Sequence, residues 1–212
     1  MSAFKEKRQA TLLQTGKSHT DMSKQTFIFK SITFVSLLFG HLLSAFGQNT
    51  DIKLSRLAKL DLGGQGLGLT YEPRLSNKMT VDISAGLGGG YDIAEQSIEI
   101  NYVKPAFYFS LTPKYFYNRK SRIEKGKETR LNSGNYFGLR LKYVAPNDRK
   151  SDLTRNSILA NLHWGIQRAI GNHWTFNSHI GVGYAQDIDY GFGTIYPSID
   201  FKFSYIFANS EK

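Results

Sequence analysis

The 212-residue chain contains no cysteine. Disulfides, thiolate metal sites, cysteine nucleophiles and a lipid-anchored N-terminal cysteine are therefore excluded. The absence leaves the compartment open, because an oxidising compartment permits disulfides without requiring them. Long apolar runs are scarce, the main one being Ser31 to Leu43. Beyond it there is almost no helical periodicity, which a soluble enzyme of this length would normally show. What the chain does have is aromatic residues (14%, with 12 Tyr and 15 Phe) and 20 glycines, at a mean hydropathy of -0.34. The formal net charge is +10, and +4 of it lies in residues 1–47, where six Lys/Arg stand against two Asp/Glu. A basic balance suits nucleic acid, anionic lipid and lipopolysaccharide phosphate alike.

Met22 to Lys30 forms a short positive segment ahead of the apolar run, and Ser44-Ala45-Phe46-Gly47-Gln48 follows it. Ala45 and Gly47 satisfy the small-x-small rule for signal peptidase, with cleavage before Gln48. The run is only about as long as the shortest spanning helices, roughly 17 residues, and lacks a positive stop. The expected organisation is a signal peptide over 22–47 and one domain over 48–212. Residues 1–21 are either an extension upstream of a true start at Met22 or a long n-region.

From residue 52 the dominant signal is period two. Ile195, Pro197, Ile199, Phe201, Phe203, Tyr205 and Phe207 share one parity, while Tyr196, Ser198, Asp200, Lys202 and Ser204 share the other. Similar alternation predicts strands near 52–60, 67–71, 79–87, 103–115, 137–143, 158–166 and 174–184, several of them of the 9–11-residue length that a tilted membrane strand needs, with the first two the weaker. Asp61 to Gly66 reads as a turn. Tight connections at 74–78 and 171–172 alternate with polar ones at 92–97, 146–156 and 187–193, so the tight ones are expected on the periplasmic side. The connection from Asn118 to Ser133 is long, basic and on that same side.

The fold class expected is all-β: an eight-stranded antiparallel up-and-down transmembrane β-barrel in the outer membrane, preceded by a cleaved signal peptide. In lipid only a closed sheet pairs every backbone group. A soluble lipocalin-like barrel or antiparallel sandwich is the alternative, since alternation alone does not tell inside from outside. The hydrophilic parity favours the membrane: Glu72, Asp82 and Asp200 can face Lys104, Arg140 and Lys142 in a packed polar lumen that also holds Lys202. Inward glycines such as Gly86, Gly138 and Gly181 would make room for these long side chains. At eight strands that lumen is filled and is not a pore.

The closing run Phe201-Lys-Phe-Ser-Tyr-Ile-Phe207 resembles the C-terminal recognition signal of outer-membrane barrels, although five residues follow it here. Tyr115-Phe-Tyr-Asn-Arg-Lys-Ser-Arg122, with Gly126-Lys127 and Asn132-Ser-Gly-Asn-Tyr136, is similar to a stretch in small outer-membrane β-barrel proteins of the Bacteroidota type. The resemblance spans about Leu60 to Phe207 and implies fold and location, not a substrate. It implies outer-membrane lipid and lipopolysaccharide as surroundings, and contact with the barrel-assembly machinery through Phe201, Phe203, Tyr205 and Phe207. Neither nucleic acid nor a cofactor is expected.

Three features could carry chemistry. Arg119, Lys120, Arg122, Lys125, Lys127 and Arg130 could form a lipid- or anion-binding patch, or simply a solvated interfacial turn. His163 and His179 face inward on adjacent strands, opposite or one diagonal step apart. They could bind metal or serve as base in a lipid-modifying acyl hydrolase or acyltransferase, given a serine such as Ser157 or Ser198 within reach, or be hydrogen-bonded lumen residues. Gly86-Leu-Gly-Gly-Gly90 follows a strand but precedes no helix, so a phosphate loop is excluded. The reading adopted is a non-enzymatic barrel with a structural or interaction role at the cell envelope, with no catalytic or metal site.

Overall fold

The computed structural model describes residues 53–93, 97–146 and 156–210, with only the backbone of 92, 101–104 and 146. All belong to the second of two units, Asn49–Lys212. The signal peptide, its cleavage site and residues 1–21 lie outside the described residues, as does most of the 146–156 connection.

Eight strands follow in order: β1 (Arg56–Gly63), β2 (Gly66–Glu72), β3 (Met79–Ile93), β4 (Ile98–Phe116), β5 (Gly134–Pro146), β6 (Ser157–Ile170), β7 (Trp174–Asp187) and β8 (Gly193–Ser210). Each pairs antiparallel with the next, and β8 pairs with β1 to close the barrel. A short helix, α1 (Arg119–Glu124), and a single 3₁₀ turn at Arg130–Asn132 lie between β4 and β5. Closure leaves neither the first nor the last strand as a free edge.

The apolar parity points outward. Leu162 is 68% exposed and Phe201 55%, and Phe109, Phe137, Ile180, Val182, Ile195 and Ile199 share that face. Leu162 sits in a row across the ladder, opposite Leu139 on β5 and Val182 on β7. These residues do not meet in a central core. Tyr71, Trp174 and Tyr205 ring the end that holds the 73–78 and 171–173 connections, here called the terminal end. Tyr143 and Tyr184 mark the far end.

The lumen is layered, a correction to the uniformly polar interior expected from the hydrophilic parity. Leu54, Phe116 and Tyr136 form one buried apolar cluster toward the terminal end, and Leu57, Leu131 and Ile206 form another. Charged and amide side chains fill the middle. Tyr91, Ile93, Tyr108, Val144, Leu159 and Ala185 pack together toward the far end. Leu54, assigned from alternation to the outward face, is buried because β1 begins only at Arg56 and the chain before it tucks beneath the barrel. A bulge between Gly89 and Gly90 switches the inward parity of β3 and turns Tyr91 and Ile93 inward.

β1 extends to Gly63, past the expected strand end, and turns at Gly64-Gln65 into Gly66 with φ +107°, a conformation suited to glycine. These two strands are only eight and seven residues long. They meet β8 no further than Lys202 and β3 no further than Leu87, whereas β8 continues to Gly193 and β3 to Ile93. The barrel wall is therefore low at this hairpin. Gly88 belongs to the glycine run Gly86–Gly90; a Cβ there would strike the Gln65 carbonyl, so the glycine lets the turn lie against β3.

Candidate functional site

The middle layer is a charge cluster. Glu72 accepts from Lys59 at 2.7 Å and Lys114 at 2.9 Å, and Asp82 from the same two lysines at 3.1 and 2.9 Å. Lys202 reaches Asp61 at 2.7 Å and Asp82 at 3.4 Å. Thr80 donates to Glu72 at 2.8 Å, and Lys114 donates to Gln167 at 3.0 Å. Three ammonium groups thus meet three carboxylates, as buried charge requires. Further along the lumen, Arg140 pairs with Asp200 at 3.0 Å.

Of the residues expected in the lumen, Glu72, Asp82, Arg140, Lys142, Asp200 and Lys202 are placed there. The Lys104 side chain lies outside the described residues. The partners differ from those expected. Register puts Lys59 opposite Thr70 and Lys114 opposite Thr80, two residues from Glu72 and Asp82, so these lysines take the carboxylates. Asp61 joined the cluster unanticipated, because its segment reads as a turn. The inward glycines make room mainly for rings, not for the charged chains: a Cβ at Gly138 would meet His163, one at Gly183 Tyr196, and one at Gly86 the backbone of β2 and the Tyr108 hydroxyl.

The basic connection after β4 folds back under the terminal end. Arg119, on α1, is buried and donates to the carbonyls of Thr129 at 2.9 Å, and of Ser133 and Lys53 at 3.3 Å each. Burial pushes its guanidinium down to about 10 despite the nearby Glu72. Asn132 accepts from the Ser55 N–H at 2.7 Å and donates to the Ser55 carbonyl at 2.9 Å and Glu72 at 3.2 Å. Leu131 and Asn132 hold φ of 49° and 58°, a left-handed pair that asparagine adopts readily but leucine only when its surroundings enforce it. Together they stopper this end of the lumen. Truncating Asn132 to alanine should destabilise the barrel by about 1–3 kcal/mol, measured as a shifted urea midpoint; an unchanged midpoint would show that the stopper is not held this way.

The other basic residues remain at the surface. Arg130 binds Glu128 at 2.8 Å and Arg122 caps the Glu128 carbonyl at 2.8 Å. These contacts with Arg130 hold the Glu128 carboxyl below its ordinary range. Lys120 lies 4.0 Å from Glu124. Lys125 and Lys127 make no ion pair among the described residues. Arg119 is thus a packing residue, and the exposed cations are fewer than the sequence suggests.

The histidines stand one diagonal step apart, with His163 opposite Gly181 and His179 opposite Gly165. Their ring centroids are 4.1 Å apart. His163 Nδ1 contacts Asn161 at 2.7 Å, while its Nε2 has no hydrogen-bond partner among the described residues. His179 Nε2 lies 3.4 Å from the Ser198 hydroxyl, longer than the 2.6–3.2 Å typical of an activated nucleophile. A carboxylate to orient His179 is not among its described contacts. Both rings face the lumen, away from the apolar belt. Groups of three or more metal-ligating side chains do not occur among the described residues.

No family model and no curated protein matches the chain. Among solved structures it is similar to the solid-state NMR structure of outer membrane protein AlkL in DMPC lipid bilayers, at 11% identity and a TM-score of 0.34, over 77% of this chain and 92% of that one. Likeness at that level says nothing about activity.

Proposed function

We propose that the chain is an outer-membrane β-barrel with a structural or interaction role at the cell envelope. The observation that carries this is the continuous outward apolar face on a closed sheet whose mid-wall charges, Lys59, Asp61, Glu72, Asp82, Lys114, Arg140 and Asp200 among them, are turned inward. On β8 the belt runs from Ile195 to Tyr205, eleven residues, or roughly 25 Å of height at the usual strand tilt. That matches the apolar band of membrane barrels, and the Tyr/Trp residues at its two edges match interfacial girdles. A soluble barrel would expose this surface to water and aggregate.

With the termini in the periplasm, α1 and its lysines face that side, where Lys120, Lys125 and Lys127 can meet anionic headgroups. The 188–192 connection then projects outward and carries exposed Ile188, Tyr190 and Phe192, with the last two rings stacked. It is the best-defined surface for a partner. Phe201, Phe203, Tyr205 and Phe207 all lie on the outer face of β8, accessible to assembly machinery during insertion.

The reading is non-enzymatic. A lipid-modifying enzyme would draw on the Ser198–His179 contact, but that contact is long and points away from where acyl chains would lie, and Asp200, opposite His179 in the ladder, is engaged by Arg140.

Membrane fractionation with and without heating before SDS electrophoresis tests the proposal. Recovery in the outer membrane as a heat-modifiable band, without phospholipid hydrolysis by the purified barrel, is the expected result. A soluble periplasmic product would overturn it.

A further inference from the structure

Lys142 is buried, at 4% exposure, yet has no carboxylate partner among the described residues. Its ammonium donates to the Gln65 side chain and to the Tyr91 hydroxyl at 3.2 Å. It also lies over the rings of Tyr108 at 4.8 Å and Tyr91 at 5.0 Å. Hydroxyl, amide and ring faces satisfy its donors without neutralising its charge. A buried ammonium in this state either sheds its proton or takes a counter-ion.

Beside it is a cavity of about 160 Å³ at the far end of the lumen, above the low β1–β2 hairpin. Its polar side is formed by Lys142, Arg140, Asn161 and Ser198, and its apolar side includes Leu159 and Ile98. Arg140 is matched by Asp200, and its Nε has no hydrogen-bond partner among the described residues. Among the described residues, two basic side chains stand against one carboxylate, an excess that a single negative charge would balance. A volume near 150 Å³ is enough for a benzene-sized molecule.

We propose that this chamber binds a small monocarboxylate with an apolar body, its carboxylate on Lys142 and Arg140 and its hydrocarbon against Leu159 and Ile98. Charge balance selects one negative charge, and the two-sided lining selects an amphiphile over a compact hydrated anion. The site is distinct from the Glu72/Asp82 cluster and does not depend on where in the cell the barrel resides.

The test titrates benzoate, its neutral isostere benzamide, and inorganic phosphate into the isotopically labelled full barrel in uncharged maltoside micelles. The expected result is a saturable benzoate shift at the Leu159, Asn161 and Tyr196 amides, with benzamide and phosphate each weaker by about tenfold or more. Lys142→Met should abolish the shift, and Lys142→Arg should retain it. Benzamide binding as tightly as benzoate would overturn the assignment, as would equal phosphate affinity, an unsaturable shift or an unaffected Lys142→Met protein. The comparison of ligands on the unaltered barrel decides the matter even where Lys142→Met does not fold.

Discussion

Replacing Leu162 by arginine is expected to lower the unfolding free energy of the barrel in phospholipid vesicles by about 2–4 kcal/mol, the cost of a charge on a lipid-facing midplane position. Leu162 lies near the middle of β6, its side chain outward between Leu139 and Val182. Nothing in the protein packs over it, so the substitution removes little internal contact. The penalty arises almost wholly from the medium outside the wall. Tyr190, 63% exposed in the 188–192 connection, supplies the control: arginine there should change stability by less than about 0.5 kcal/mol. In water both substitutions would be equally mild. Denaturant titration in vesicles, followed by tryptophan fluorescence, compares them directly. Equal effects would contradict a bilayer around β6.

Glu72→Ala should be more damaging, by about 3–5 kcal/mol, because it strands Lys59 and Lys114 in a space from which water is excluded. Glu72 is fully buried and accepts from both lysines, Thr80 and Asn132. Asp82 alone is left to neutralise two ammonium groups and shares its second oxygen with Lys202. Two effects, lost charge and lost volume, are separable. Glu72→Gln keeps the shape and removes only the charge, and adding Lys59→Met to it restores neutrality. The double variant should recover much of what the single variant loses, a coupling read from the four corners of the cycle. A loss below about 1 kcal/mol for Glu72→Ala would mean that water enters the cluster and solvates the lysines.

Alternation and side-chain chemistry made the barrel legible. Each strand from β5 to β8, and β3 and β4 as far as their bulge, keeps one apolar parity, and closure follows once eight such strands must pair in order. Pairings inside the lumen were less accessible. Glu72 and Asp82 point the right way by parity, but whether Lys59 or Arg140 meets them depends on stagger between strands, which a single strand does not encode. Asp61 was hidden because glycines on both sides of Gln65 announce a turn without marking its first residue. The fold-back of Arg119, Leu131 and Asn132 had no local signature. A basic loop and a lumen stopper have the same composition, and only the open end of a closed sheet gives these residues something to fill.

The brevity of β1 and β2 also reaches beyond the protein. Their outward residues, Leu60, Leu62, Leu67 and Leu69, present a shorter greasy span than the rest of the circumference. Acyl chains beside that hairpin would have to compress or tilt to cover it, a local mismatch of a kind that bilayers meet by thinning. The lipid annulus would then be lopsided, shallow on one flank and full-depth on the other, giving the barrel a preferred side from which neighbours in the membrane approach.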